Sequence, residues 1–146
     1  MLTKNPAMTD FRVELAGAHQ IDGLWPAVAE GLERACQETG GDLTADYLWS
    51  ECRAARAFLM LVIEDDSIAA ASVWRFEKWT SGKKLRCLAL YGKVGQMADW
   101  LDAHRKATID MAKLGEATAL VTEGRAGFAR IFPEARVLRQ LYEVAI

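Results

Sequence analysis

Few residues in this sequence belong to the types that metal sites and redox centres need. It contains two histidines and three cysteines, and none of the cysteines forms a C-x-x-C pair. We therefore expect no metal site, because structural zinc sites need clustered cysteine and histidine ligands. Isolated cysteines such as Cys36, Cys52 and Cys87 are typical of reduced, buried thiols.

Excess charge and long apolar runs are also absent. The 146 residues carry a formal net charge of −2, so no overall positive field favours specific binding to nucleic acid. No apolar run approaches the length of a membrane span, and the first ten residues lack the apolar core of a signal peptide. The sequence thus predicts a cytoplasmic protein without a membrane span.

The apolar patterning that is present predicts one α/β domain. Residues 1–10 are polar and predict an N-terminal arm, and residues 11–146 predict a single domain with a substantial core. The predicted elements are strand 11–16, a helix after Asp22, a helix after Asp42 or Thr44, strands 59–63, 68–79 and 84–91, helix 97–113, strand 117–122, helix 124–132 and strand 136–146. This order, β-α-α-β-β-β-α-β-α-β, predicts a mixed sheet with helices on both faces.

Two details of this prediction concern the ends of elements. Asp22 is a suitable cap for the first helix, which would place Pro26 in the first turn, where its missing N–H costs little. In the last strand, alternate residues from Leu138 to Ile146 share one face, and Tyr142 is expected to be a half-buried aromatic residue there.

The stretch "LYGKVGQM", residues 90–97, connects a predicted strand to a predicted helix and contains two glycines. Backbone N–H groups at a helix start can bind an anion such as a pyrophosphate. As a bare G-x-x-G pattern, however, the stretch is more typical of a plain turn. Both interpretations stay open on the residues alone.

The order and lengths of these elements resemble the GNAT superfamily of acyl-CoA N-acyltransferases. The similarity covers residues 11–146 and is carried by "LMLVIEDDSIAAASVWRF", by the segment from "KKLRCLALYGKVGQ" through the following helix, and by "ATALVTEGRAGFARIFP". "LWPAVAEGLERA" and "EGRAGFARIFPEAR" are most similar to the small GNAT-like proteins of tailed phages. The resemblance implies a bacterial host cell as the location, with the virion as the alternative.

The resemblance also implies where acetyl-CoA would bind. Its pyrophosphate would contact the stretch Leu90, Tyr91, Gly92, Lys93, Val94, Gly95, Gln96 and Met97. The sequence departs from the family pattern at Gly92, which replaces an Arg or Gln, and at Met97, which replaces a small residue. Phe132 stands where many members have the tyrosine that protonates the leaving thiolate, and phenylalanine cannot donate a proton.

Three residues are candidates for acid–base catalysis. Glu123 and Glu77 are candidate general bases, and Glu123 follows a predicted parallel strand, where sites of open α/β sheets gather. A solvated carboxylate that caps the next helix is the simpler interpretation of Glu123. Tyr91 could replace the missing tyrosine if the fold brings it close. His104 lies on the apolar stripe of a helix and is interpreted as a satisfied core or boundary histidine.

Two functions follow from these observations. The sequence favours a non-catalytic interaction protein of phage or prophage type, associated with a virion or its assembly, which needs no cofactor and binds a protein partner or a second copy of itself. The alternative is an acetyl-CoA-dependent N-acetyltransferase that acts on an amine. The degraded loop and Phe132 favour the first function, and the overall fold favours the second.

Overall fold

The computed structural model describes residues 11–39, 41–92, 97–123 and 132–146, and for residues 97–99 the backbone alone. The elements are β1 (Phe11–Ala16), a short 3-10 helix (Ala18–Gln20), α1 (Ile21–Glu38), α2 (Ala45–Arg53), β2 (Phe58–Glu64), β3 (Ser67–Trp79), β4 (Gly82–Gly92), α3 (Met97–Leu114) and β5 (Ala119–Thr122). The predicted N-terminal arm, residues 1–10, lies outside the described residues and stays a prediction.

The strands form one five-stranded sheet in the order β1-β2-β3-β4-β5. The first four strands pair antiparallel. Short turns join β2 to β3 and β3 to β4, whereas the 3-10 helix, α1 and α2 lie between β1 and β2. The strands β4 and β5 pair parallel, as the predicted strand–helix–strand crossover requires. Asp65 has a φ of 48° in the tight turn between β2 and β3. The mixed sheet predicted from the sequence is therefore confirmed.

Alternate residues of the central strands separate the core into two layers. Leu59, Leu61 and Ile63 of β2 pack with α1 and α2 on one face of the sheet. Met60 and Val62 point to the opposite face, where Trp74 and Trp100 are also buried. Because consecutive strand residues point to opposite faces, a continuous apolar run is what a strand covered on both faces needs. Helices cover both faces, as predicted.

The start of α1 differs from the prediction. The helix begins at Ile21, so Asp22 lies inside its first turn and does not cap it. The Asp22 carboxylate instead accepts a hydrogen bond of 2.9 Å from Trp49 Nε1 of α2. Pro26 is consequently inside the helix, beyond the first turn. The prediction was wrong because a long-range contact to α2 competes for the Asp22 side chain.

The other helix ends follow their sequence signals. Thr44 Oγ1 accepts a hydrogen bond from the backbone N–H of Tyr47, so Thr44 is the cap of α2. The third helix begins at Met97 and ends at Leu114, directly before Gly115. Among the described helices, none is long and apolar enough to span a membrane.

The C-terminal segment, Pro133–Ile146, does not form the predicted strand. Residues 135–146 have no regular secondary structure, and every residue from Pro133 to Ile146 is exposed. Tyr142 is 80% exposed and is not the half-buried aromatic residue that was predicted. Apolar residues alternate on both sides of this segment, so no single register buries them against one face. The predicted helix over 124–132 lies outside the described residues except for Phe132, which is buried.

Two glycines of α1 allow a matched test of this packing. A Cβ at Gly31 would lie 2.6 Å from ring atoms of Tyr91, whereas a Cβ at Gly23 would meet nothing within 4 Å. We expect Gly31→Ala to destabilise the domain by about 1–3 kcal/mol through overpacking. Gly23→Ala should stabilise it by about 0.5–1 kcal/mol, because alanine loses less backbone entropy in a helix. Urea unfolding measures both, and shifts of the same sign would contradict the close contact of α1 and β4.

Candidate functional site

The candidate site is a fork between the two parallel strands β4 and β5. The strands pair from Lys84 and Ala119 up to Cys87 and Thr122, where β5 ends. Thr122 Oγ1 closes the base of the fork by donating a hydrogen bond of 3.0 Å to the Cys87 carbonyl. Beyond Cys87, β4 continues to Gly92, and within the described ranges no strand pairs with its β5 side there. A strand edge without a neighbouring strand presents free backbone N–H and C=O groups, and among the described residues no strand covers this edge of β4.

A β-bulge lies where the fork opens. Val73 of β3 pairs with Ala89, but the next residue, Trp74, pairs with Cys87, so Leu88 is the extra residue of β4. A bulge bends its strand and increases the local twist, and bulges are common beside active sites. The bulge therefore bends β4 at the point where β5 ends, which helps to separate the two strands.

The described part of the predicted cofactor stretch consists of Leu90, Tyr91 and Gly92, the last three residues of β4. All three lie on the part of β4 that continues beyond its last pair with β5. The Tyr91 ring packs on Gly31 of α1, and burial raises the pKa of its phenol, with a smaller opposing effect of the Arg34 charge. The phenol of Tyr91 thus keeps its proton at neutral pH, and its role as a proton donor stays a prediction.

Gly92 has a packing role that the sequence did not indicate. A Cβ at this position would lie 2.2 Å from Cζ2 of Trp100, which is 2% exposed. In the family pattern, Gly92 replaces an Arg or Gln. In the structure, the absence of a side chain lets α3 approach the end of β4.

The remaining residues of the predicted cofactor stretch are Lys93, Val94, Gly95, Gln96 and Met97. The first four lie outside the described residues, and Met97 is described only as the first residue of α3. Their assignment to a phosphate site stays a prediction. A strand followed closely by a helix start is nevertheless the arrangement that such a site requires.

The two carboxylates predicted as candidate bases meet at one arginine. Arg86 of β4 lies 3.5 Å from the Glu77 carboxylate and 3.2 Å from the Glu123 carboxylate. Glu123 directly follows β5 and also accepts a hydrogen bond of 2.7 Å from Arg139. Because two guanidinium groups bind it, Glu123 is not simply a solvated carboxylate at the end of a strand.

Glu77 is held more firmly than Glu123. Its carboxylate accepts hydrogen bonds from Arg75 Nε at 2.8 Å and from Trp79 Nε1 at 3.1 Å. Burial by itself would raise the pKa of Glu77, but these two hydrogen bonds, with the charges of Arg86 and Arg75, lower it below its ordinary value. A lowered pKa makes a weaker base. Its role as a general base stays a prediction, and Glu77 also has a clear structural role in this ion-pair network.

A buried polar cluster between β3 and α3 escaped the sequence analysis. Ser72 Oγ lies 2.9 Å from Nε2 of His104 and accepts a hydrogen bond of 2.7 Å from Trp74 Nε1. His104 Nδ1 and Trp100 Nε1 are buried and have no hydrogen-bond partner within the described ranges. His104 is thus a buried core histidine, as predicted, but only one ring nitrogen is satisfied there. A serine within "AAASVW" was the available signal.

The three cysteines agree with the prediction of reduced, buried thiols. Cys36, Cys52 and Cys87 are free and buried, and burial raises the pKa of their thiols to about 11, about 12 and about 12. Such thiols are poor nucleophiles at neutral pH. In the part of the chain that the structure describes, no group of cysteine, histidine and carboxylate side chains is arranged to hold a metal ion.

The position predicted for a catalytic tyrosine is occupied by a buried aromatic ring. Phe132 is 5% exposed, and the guanidinium of Arg105 lies 5.2 Å from its ring centroid. Arg105 in turn forms a bidentate ion pair with Glu134. Phe132 therefore packs against α3 and supplies no proton.

Comparison with known proteins gives matches in structure. Neither a family model nor a curated protein matches the sequence. A ribosomal-protein-alanine N-acetyltransferase from Brucella melitensis biovar Abortus 2308 matches with a TM-score of 0.65 and 11% identity, over 94% of this chain and 99% of that chain.

Two further acetyltransferases match equally well. One is an aminoglycoside acetyltransferase from an uncultured soil metagenomic sample, with a TM-score of 0.67, 8% identity, and 93% and 96% coverage. The other is a predicted acetyltransferase from Clostridium acetobutylicum, solved with acetyl-CoA, with a TM-score of 0.65, 10% identity, and 93% and 96% coverage. The chain therefore has the GNAT acetyltransferase fold, a mixed five-stranded sheet flanked by helices.

Proposed function

We propose that this protein is an acetyl-CoA-dependent N-acetyltransferase that acts on an amine. The observation that carries the proposal is the fork, where β4 continues beyond its last pair with β5 after the Leu88 bulge. An extended ligand with amide groups can hydrogen-bond to such a strand edge as an added strand would. This edge of β4 supports the proposal, and residues 93–96, which are predicted to bind the phosphates, lie outside the described residues.

The chain's own residues have separable roles in this proposal. Bound acetyl-CoA supplies a thioester, whose carbonyl carbon is the electrophile for the amine. The edge of β4 from Leu88 to Gly92 binds and orients the extended chain of the cofactor. Burial raises the pKa of Tyr91, so its phenol stays protonated and is the candidate donor to the leaving thiolate. The proton that the amine loses on acetylation would then restore the phenol. Glu123, at the end of β5, faces the acceptor.

Titration with acetyl-CoA tests this function directly. Calorimetry should detect binding at micromolar concentration, and a thermal shift should accompany it. Ligand at 100 times its Kd adds about 2.7 kcal/mol of stability. Gly95→Asp should abolish the binding, because it places a negative charge in the predicted phosphate site.

Gly23→Asp is the matched control, since it adds the same charge on exposed α1 surface with nothing within 4 Å. This variant should bind acetyl-CoA as the unmodified protein does. If millimolar acetyl-CoA gives neither heat nor a thermal shift, the proposal is rejected. Equal binding by the Gly95→Asp variant would reject the predicted phosphate site.

A second candidate function is favoured by one specific observation. The C-terminal segment exposes large apolar side chains, among them Val137, Leu141 and Val144 at 78%, 90% and 84%. Exposed apolar residues in such a row are typical of an interaction surface. A non-catalytic interaction protein, with a protein partner or a second copy, is the corresponding proposal. Its phage or virion origin rests on the sequence resemblance alone.

A further inference from the structure

One side chain of the C-terminal segment is placed against the candidate site. The guanidinium of Arg139 donates a hydrogen bond of 2.7 Å to the Glu123 carboxylate. The same guanidinium lies 5.8 Å from the ring centroid of Trp79, the last residue of β3. A carboxylate and an aromatic face together are the two components of a typical cation site.

The two sides of this site are held in place without Arg139. Trp79 Nε1 donates a hydrogen bond of 3.1 Å to Glu77, which restricts the orientation of the indole. Glu123 is held by Arg86, whose side chain is only 19% exposed and lies 3.2 Å away. The nearby ammonium of Lys84 lies 5.9 Å from the Trp79 ring and donates to Thr118. The contacts of Trp79 with Glu77 and of Glu123 with Arg86 therefore do not depend on Arg139.

Arg139, in contrast, is a weakly held occupant. Its side chain is 66% exposed, and it belongs to a segment without regular secondary structure. Exposed ion pairs contribute little because water solvates both partners and side-chain ordering costs entropy. A cationic ligand can therefore displace Arg139 at small cost, whereas the partly buried contacts of Trp79 with Glu77 and of Glu123 with Arg86 stay intact.

We propose that Glu123 and Trp79 bind a cationic group of the amine acceptor, and that Arg139 occupies this site as an internal competitor. The inference rests on the proposed function in one respect, which is that Glu123 directly follows Thr122 at the base of the fork. The group bound by Glu123 stays charged, whereas the amine that is acetylated must be neutral. The acceptor class is therefore a molecule with a primary amine and a second, guanidinium-like cationic group.

Binding of agmatine, which has a guanidinium and a primary amine, tests the site without acetyl-CoA. Arg139→Ala should bind agmatine about two- to fivefold more tightly than the unmodified protein, because the competitor is gone. The double variant Arg139→Ala with Glu123→Gln should lose this gain. n-Butylamine, which lacks the guanidinium, should bind more weakly than agmatine to the Arg139→Ala variant.

Arg136→Ala is the matched control, because Arg136 is an exposed arginine of the same segment. It should leave the affinity for agmatine unchanged. An unchanged affinity in Arg139→Ala, or a gain that survives Glu123→Gln, overturns the proposed site. Agmatine binding as predicted, together with no binding of acetyl-CoA, rejects the acceptor role and the transferase function while the cation site itself stands.

Discussion

Acidification from pH 6.5 to pH 4 should lower the free energy of unfolding by up to about 3 kcal/mol through one residue, His104. Burial lowers the pKa of this histidine from 6.5 to about 4. Each unit of difference between the folded and the unfolded pKa corresponds to about 1.4 kcal/mol. His104 is 1% exposed, between Ser72, Trp74 and Trp100, which supply no charge to stabilise an imidazolium.

The direction follows from the protons that each state binds. Between pH 4 and pH 6.5 the unfolded chain holds a proton on His104 and the folded protein does not. Stability therefore rises with pH in this window and is fully present above pH 6.5. The carboxylates with lowered pKa values affect stability at lower pH than His104 does; they are Glu51, Glu77 and Glu134. Their stabilisation is lost only below about pH 4.5, which is their unfolded pKa.

The two histidines of the chain provide the control. His104→Gln keeps a side chain that can accept a hydrogen bond from Ser72 but cannot titrate, so the pH dependence between 4.5 and 6.5 should flatten. His19→Gln makes the same substitution at the exposed histidine and is the matched reference for this change. Urea unfolding at a series of pH values measures both variants. A slope that persists in His104→Gln would show that another group titrates in this window.

Much of the sheet could be predicted because its signals are local. The alternation in "FRVELA" and the acidic turn "EDDS" bring β1, β2 and β3 close to their observed limits. Thr44 and Gly115 mark helix ends for reasons of backbone geometry and capping that act within a few residues. Local patterns of this kind are visible in the sequence without any knowledge of the tertiary fold.

The predictions that were wrong depended on long-range partners. Asp22 has the chemistry of a cap, but Trp49 of α2 binds its carboxylate. The segment from Leu138 to Ile146 has the apolar content of a strand, yet it is exposed and has no regular secondary structure. A strand needs a neighbouring edge at the right register, and that requirement cannot be read from the segment itself.

The candidate site shows the same difference between local signals, which the sequence displays, and long-range contacts, which it does not. The sequence indicated Glu77 and Glu123 separately, because each is a carboxylate near a strand end. It did not indicate that Arg86 joins them, since the pairing of β4 with β5 brings Arg86 opposite Val121. The Ser72–His104 contact spans 32 residues of sequence and likewise depends on α3 packing over β3.

Gly92→Ala should destabilise the domain by about 3 kcal/mol or more, at or above the upper end of overpacking effects. The added Cβ would lie 2.2 Å from Cζ2, 2.8 Å from Cε2 and 3.0 Å from Cη2 of Trp100. Trp100 is 2% exposed and packs edge-on against His104 with ring centroids 5.8 Å apart, so a shift of its ring would disturb this contact. Thermal and urea unfolding measure the loss.

A second substitution separates this packing role from a requirement of the cofactor stretch. Trp100→Phe removes the ring atoms nearest to the new Cβ, so the double variant should regain part of the stability lost in Gly92→Ala, with a coupling of about 1 kcal/mol or more. Gly23→Ala, the same chemical change at a position with open space, should not couple to Trp100→Phe. If the changes in the free energy of unfolding caused by the two substitutions are additive, Gly92 is needed for something other than the close approach of α3 to β4. The double variant could also regain stability without regaining acetyl-CoA binding. Gly92 would then have a role in ligand binding that is separate from its packing role, because the end of β4 would be packed correctly and still fail to bind the ligand.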